Sequence, residues 1–122
     1  MRLALTALFV ALALPVSAKA EKTAQEYLDS TATEKVYGDL YVVAAFRSLE
    51  WANLLLDSRK QPRLYCRPDD VEMTPELVVA IYRGYLKRNI ESDNAKRRSV
   101  RTDPMSMTVL MAAAAEYPCP KT

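Results

Sequence analysis

The sequence predicts a small all-α domain, a helical bundle of three main helices plus a short N-terminal one, with one disulfide. Three observations carry the prediction. Only two glycines occur in 122 residues, too few for the glycine-bearing corners of a sandwich or barrel. No stretch alternates apolar and polar residues with the period of two that a half-buried strand needs. Thr74-Pro75 and Asp103-Pro104 each place an N-cap residue before a proline, the signature of a helix start. The length suits one domain rather than two. Half of the residues are apolar and 26% are charged with the signs nearly balanced, which excludes an intrinsically disordered chain.

Residues 1–20 read as a segment to be set aside before the fold is considered. Met1-Arg2 give a positive start, residues 3–14 form an uncharged 12-residue apolar run, and Pro15 breaks it. Small residues follow up to Ala18 and Ala20, the two expected cleavage points of a secretory signal peptide. The alternative, a membrane anchor, needs roughly 20 apolar residues. Cleavage after Ala20 removes Arg2 and Lys19, so residues 21–122 carry 15 basic and 15 acidic side chains and are formally neutral. Export places the domain in the periplasm. Neutrality removes the charge argument for nucleic-acid binding, and no membrane anchor is expected after cleavage.

Within the mature part, residues 22–32 predict a short first helix around Tyr27 and Leu28. Residues 35–57 form the strongest helical stretch, with Gly38 near its start. Arg47, Glu50, Asn53 and Asp57 make one polar stripe at spacings of three and four. Tyr41, Ala45, Ser48, Leu49, Ala52, Leu55 and Leu56 fall on the other side, taken as the inward face. Pro68 keeps the next loop extended. The third helix starts at Thr74-Pro75-Glu76 and runs to about residue 89. Its small residues Ala80 and Gly84, flanked by Leu77 and Ile81, suit close approach of another helix. The fourth helix, residues 104–116, carries Met107, Leu110, Met111 and Ala114 on one face, and Pro118 stops it.

Cys66 and Cys119 are the two cysteines. In an oxidising compartment they most simply form one disulfide tying the two ends of the last helical hairpin. A zinc site needs further Cys or His ligands, and a nucleophilic thiol wants a His partner. The chain has no histidine. That removes the commonest general base and metal ligand together with every His-dependent triad. No catalytic residue, metal site or cofactor is expected. Asp69, Asp70 and Glu72 form the one dense carboxylate cluster. Paired carboxylates can do acid–base work, but acids beside a helix N-terminus are also expected for dipole reasons alone.

Binding is the remaining class. Residues 90–102 read as a polar loop made basic by Lys96, Arg97, Arg98 and Arg101, either solvated or a contact for an acidic partner. Trp51, at the margin of the long helix's polar and apolar faces, is either packing or a partner anchor. Met105, Met107 and Met111 admit core filling or an adaptable surface. The oligomeric state stays open, a homodimer included.

The C-terminal half resembles a known family. Tyr65-Cys66-Arg67-Pro68, then Val71-Glu72-Met73-Thr74-Pro75-Glu76-Leu77, Tyr85-Leu86, and the Ala-rich run ending in Tyr117-Pro118-Cys119 are similar to the motifs of Rap/Tai-type immunity proteins. Tyr41-Val42-Val43-Ala44-Ala45 resembles the small-residue-rich helix start of that family. The resemblance covers residues 36–119 and is specific at the two cysteine motifs. It implies a periplasmic, all-α, disulfide-bonded protein that binds and inhibits a peptidoglycan amidase or similar toxin. Its fold is compared with that of the acid-stress chaperone HdeA, the alternative function. Many members carry a second cysteine pair that has no counterpart here.

Overall fold

The computed structural model describes residues 20–90 and 100–121. The expected signal peptide, apart from Ala20, and Lys96, Arg97 and Arg98 lie outside the described residues. Four helices have both ends within the description: α1 (Ala24–Leu28), α2 (Ala32–Ser58), α3 (Pro75–Ile90) and α4 (Met105–Glu116). The domain is all-α, with no strand among the described residues. One isolated antiparallel bridge pairs Thr23 with Pro104.

The first two helices start at consecutive capping boxes. Thr23 and Glu26 cap each other's backbone N–H groups at 3.2 and 2.7 Å, and Thr31 and Glu34 repeat the arrangement eight residues later. The second box ends the expected helix over 22–32 early: only Ala24–Leu28 form α1, and Ala32 already opens α2. α3 starts as expected: the Leu77 N–H donates to Thr74 Oγ1 at 3.2 Å, with Pro75 as the first helical residue. At α4 the cap differs from the expectation. Pro104 is the N-cap and offers no side chain, so Asp103 does not serve. Glu21 serves instead, its carboxylate accepting from the Ser106 N–H at 2.8 Å and Ser106 Oγ at 2.9 Å, and from the Tyr41 hydroxyl.

α3 and α4 pack against each other and both pack against α2, with α1 across the α2–α4 side. The core is aromatic: Tyr27, Phe46, Tyr65 and Tyr82 are buried among Val42, Leu86, Met105 and Val109. The Tyr27 and Tyr82 rings meet edge-on at 5.2 Å, and Phe46 and Tyr65 at 6.5 Å. Thr108, the one buried polar residue among those described, is satisfied by the Tyr82 hydroxyl at 3.0 Å and by the Met105 carbonyl at 3.0 Å. Near the solvent edge, the Tyr27 hydroxyl donates to Asp39 Oδ1 at 2.6 Å and accepts from Arg83 Nε at 2.9 Å. Arg83 Nη2 closes the triangle on Asp39 Oδ2 at 2.6 Å, joining α1, α2 and α3.

Cys66 and Cys119 are bonded. The bridge joins the loop before α3 to the segment after α4, as the sequence predicts, and the Cys66 N–H donates to the Tyr117 carbonyl at 2.8 Å beside it.

Three expected faces are corrected. On α2 the buried residues are Gly38, Val42 and Phe46, with Ala45 and Leu49 at the core edge, whereas Tyr41, Ser48 and Leu55 are exposed. The core lies beside the polar stripe rather than opposite it, because Asn53 and Glu50 turn toward the following loop instead of toward water. On α4, Met107 and Met111 are exposed while Met105, Thr108, Val109, Ala112 and Ala113 are buried. That helix is apolar nearly all round, so periodicity cannot select its inner face. On α3, Ala80 is exposed and Gly84 half-buried. The close approach occurs at Gly38 instead, against the Tyr27 ring.

Candidate functional site

The C-terminal half of α2 and the loop that follows it enclose a cleft of about 380 Å³. α2 contributes Arg47, Glu50, Trp51, Leu54 and Asp57, and the loop contributes Arg63, Tyr65, Arg67 and Asp69. One side chain, Asn53, holds the loop's backbone. Asn53 accepts from the Leu64 N–H at 2.7 Å and donates to the Tyr65 carbonyl at 2.9 Å, which satisfies a donor and an acceptor where the chain reverses. Tyr65, beyond that clamp, is buried against Phe46, and burial pushes its hydroxyl up to about 12, so it stays protonated.

The cleft's guanidinium groups are tied down by acids. Arg63 makes a two-pronged pair with Asp57, Nε to Oδ1 at 2.8 Å and Nη2 to Oδ2 at 2.5 Å. The bond from Arg63 holds the exposed Asp57 carboxyl below its ordinary range. Arg67 lies 3.5 Å from Glu50 and also donates to the Val71 carbonyl. Two of the three arginines are thus neutralised in place, and the third, Arg47, stands on the α2 wall. Trp51 at the rim is 71% exposed. This surface presents an indole face, planar guanidinium donors and carboxylate acceptors side by side.

The structure separates the remaining candidate residues. Arg101 is not in a loop: residues 100–102 are helical, Val100 is buried, and Arg101 Nη2 donates to the Ile90 carbonyl at the end of α3 at 3.0 Å. Of the expected loop over 90–102, Ile90 belongs to α3 and residues 100–102 are helical, while residues 91–99 lie outside the described residues. Arg101 does not line the Trp51 cleft. In the carboxylate cluster, Asp69 reaches the cleft rim, while Asp70 and Glu72 are exposed in the turns before α3. Among the described residues no group of three or more His, Cys, Asp or Glu is arranged to hold a metal. No described helix is long and apolar enough to cross a membrane.

Sequence reasoning missed Asn53, Arg63 and Arg67 as parts of one site. The signal available was Asn53 in an otherwise charged stripe, since an amide offers both donor and acceptor to a loop backbone. Compared with family models, with curated proteins and with solved structures, the chain gave no match.

Proposed function

We propose that this is an exported, periplasmic protein that acts by stoichiometric association with a protein partner and turns over no substrate. On the Rap/Tai-type resemblance, the partner is a peptidoglycan amidase or similar toxin, which the protein binds and inhibits. The observation that carries the binding reading is Trp51, largely exposed on a rigid helix at the mouth of a cleft braced by Asn53, Arg63 and Arg67. A large exposed aromatic with fixed planar donors beside it has the make-up of an interface anchor. Lys96, Arg97, Arg98 and Arg101 are the electrostatic part of the same reading and act on encounter rate. The test is affinity capture from periplasmic extract with wild-type protein and Trp51→Ala, read by mass spectrometry. A cell-wall hydrolase recovered at one-to-one stoichiometry with the wild type and lost with the variant is the expected result. Absence of any stoichiometric partner overturns it.

One observation favours the second reading, an HdeA-like acid-stress chaperone. The Glu21 carboxylate joins the N-terminal segment to α4 and to Tyr41, and protonation removes an acceptor from that clasp. Suppression of client aggregation at acid pH and not at neutral pH is the outcome that selects this reading.

A further inference from the structure

We propose that the cleft beside Trp51 takes a carboxylate of the protein partner, an Asp or Glu side chain flanked by apolar ones, and that Arg47 is the residue that receives it. The inference rests on the binding reading above and names the partner chemistry that the same site selects.

The cleft is crossed by acid–arginine pairs running from α2 to the loop. Asp57 on α2 holds Arg63 at 2.5 Å, and Glu50, about two turns back along the helix, meets Arg67 at 3.5 Å. The loop's arginines are therefore matched already. Arg67 also donates to the Val71 carbonyl, and the charge of Asp69 acts on Arg63 as well. Arg47 lies almost one turn beyond Glu50 and lines the same cleft. There the pattern is left incomplete: α2 supplies the cation, and no described acid answers it. Glu50, three residues away, is the partner of Arg67, and Asp69 lines the cleft without pairing to Arg47. Among the described residues Arg47 has neither an ion pair nor a hydrogen bond, and it is exposed. Its guanidinium is a rigid planar fork of five N–H donors, which a carboxylate matches two-pronged.

The surroundings select among anions. A phosphate or sulfate also fits a guanidinium, but Glu50, Asp57 and Asp69 line the same cleft and oppose a doubly charged group. One negative charge is what a single unmatched arginine takes. The neighbours on α2 set what flanks that charge. Trp51 and Leu54 follow Arg47 at spacings of four and seven, which places all three on one face, and they are 71% and 59% exposed. An acid seated on Arg47 brings the side chains beside it onto the indole and Leu54. Apolar ones exclude water there and strengthen the pair. A neutral or basic segment in the same place covers the guanidinium and leaves it unpaired, a cost that discriminates against such partners.

The test uses the isolated protein and the emission of Trp51, the single tryptophan of the chain, which moves to the blue when a ligand covers the indole. The probes are the blocked tripeptide acetyl-Leu-Glu-Leu-amide and its counterparts with Gln or Lys in the middle. The wild type is expected to bind the Glu peptide about fivefold more tightly than either counterpart, with the preference shrinking as salt is raised. Arg47→Gln removes the preference. Arg47→Glu reverses it and makes the Lys peptide the tightest, a gain that misfolding does not produce. Arg88→Gln changes the net charge equally on α3, outside the cleft, and leaves the preference in place. No emission shift with any peptide, equal binding of all three, or a Glu preference that survives Arg47→Gln overturns the proposal. The capture experiment with Trp51→Ala fails or succeeds separately: a partner captured through Trp51 by a protein that does not discriminate the peptides leaves the binding reading standing and the carboxylate refuted.

Discussion

Replacing Gly38 with alanine sets two known effects against each other at one atom. In the interior of α2 the substitution gains about 1 kcal/mol of helix propensity. The added Cβ, however, meets Tyr27 Cδ2 at 2.7 Å and Cε2 at 2.9 Å, well inside the separation of about 3.5–4.0 Å at which carbon atoms attract. The ring has nowhere to go. Tyr27 is buried, its edge packs on Tyr82, and its hydroxyl is fixed by Asp39 and Arg83. Overpacking of this kind costs about 1–3 kcal/mol, and loosening a hydrogen bond to a charged group adds about 1.5–3 kcal/mol. The expected net loss is about 1.5–5 kcal/mol, a fall of at least about 6 °C in Tm for a domain of this size. Urea unfolding checks it, with the midpoint lowered and the slope unchanged. Gly84 is the internal control. A Cβ there meets only the flexible end of Arg88 at 3.3 Å, so Gly84→Ala is expected to raise stability by up to about 1 kcal/mol. If Gly38→Ala stabilises as Gly84→Ala does, the ring is free to yield and the reasoning fails.

Three further outcomes follow from the same contacts. Replacing Cys66 and Cys119 with serine releases a loop whose ends are 53 residues apart and lowers stability by about 2–5 kcal/mol, read by urea unfolding with and without reductant. Asn53→Ala orphans the Leu64 N–H and the Tyr65 carbonyl; a loss of about 1–3 kcal/mol and faster hydrogen exchange at Leu64 are expected. The Tyr41 hydroxyl, opposed in part by desolvation and helped by Ser106, holds the Glu21 carboxyl below its ordinary 4.5. A depressed carboxylate stabilises above its unfolded value and loses that contribution as pH falls through the folded one, so stability declines below about pH 4.5 and Glu21→Gln flattens that decline in a pH series of thermal melts.

What the sequence made legible was what local chemistry dictates. Two glycines, the Thr74-Pro75 start and the pair of cysteines led to the right fold class, to α3 and to the disulfide. The boundary between α1 and α2 was also present, as Thr23 with Glu26 and Thr31 with Glu34, two capping boxes spaced eight residues apart. Glu21 was beyond reach of any local rule. It caps a helix that begins 84 residues later, and only the packing of the N-terminal segment along Asp103 and Pro104 brings the two together.

The candidate site was legible in part for a different reason. Trp51 stood out by residue type, but assigning faces to α2 assumed that one side of an amphipathic helix is polar. α2 breaks that assumption. Glu50 and Asp57 fall at the seam beside the core side, whereas Arg47 interrupts the outward apolar stripe. With apolar residues on opposite sides, the periodic signal cancels, and a polar stripe no longer marks the direction of solvent. The long helix also outruns its partners, with 27 residues against 16 and 12. α3 and α4 cover its core side while the outward stripe stays open along its length. The Asn53 clamp ties α2 to the loop that follows it, and the Tyr27–Asp39–Arg83 triangle ties it to α1 and α3. A surface ordered in advance spends little association energy on ordering.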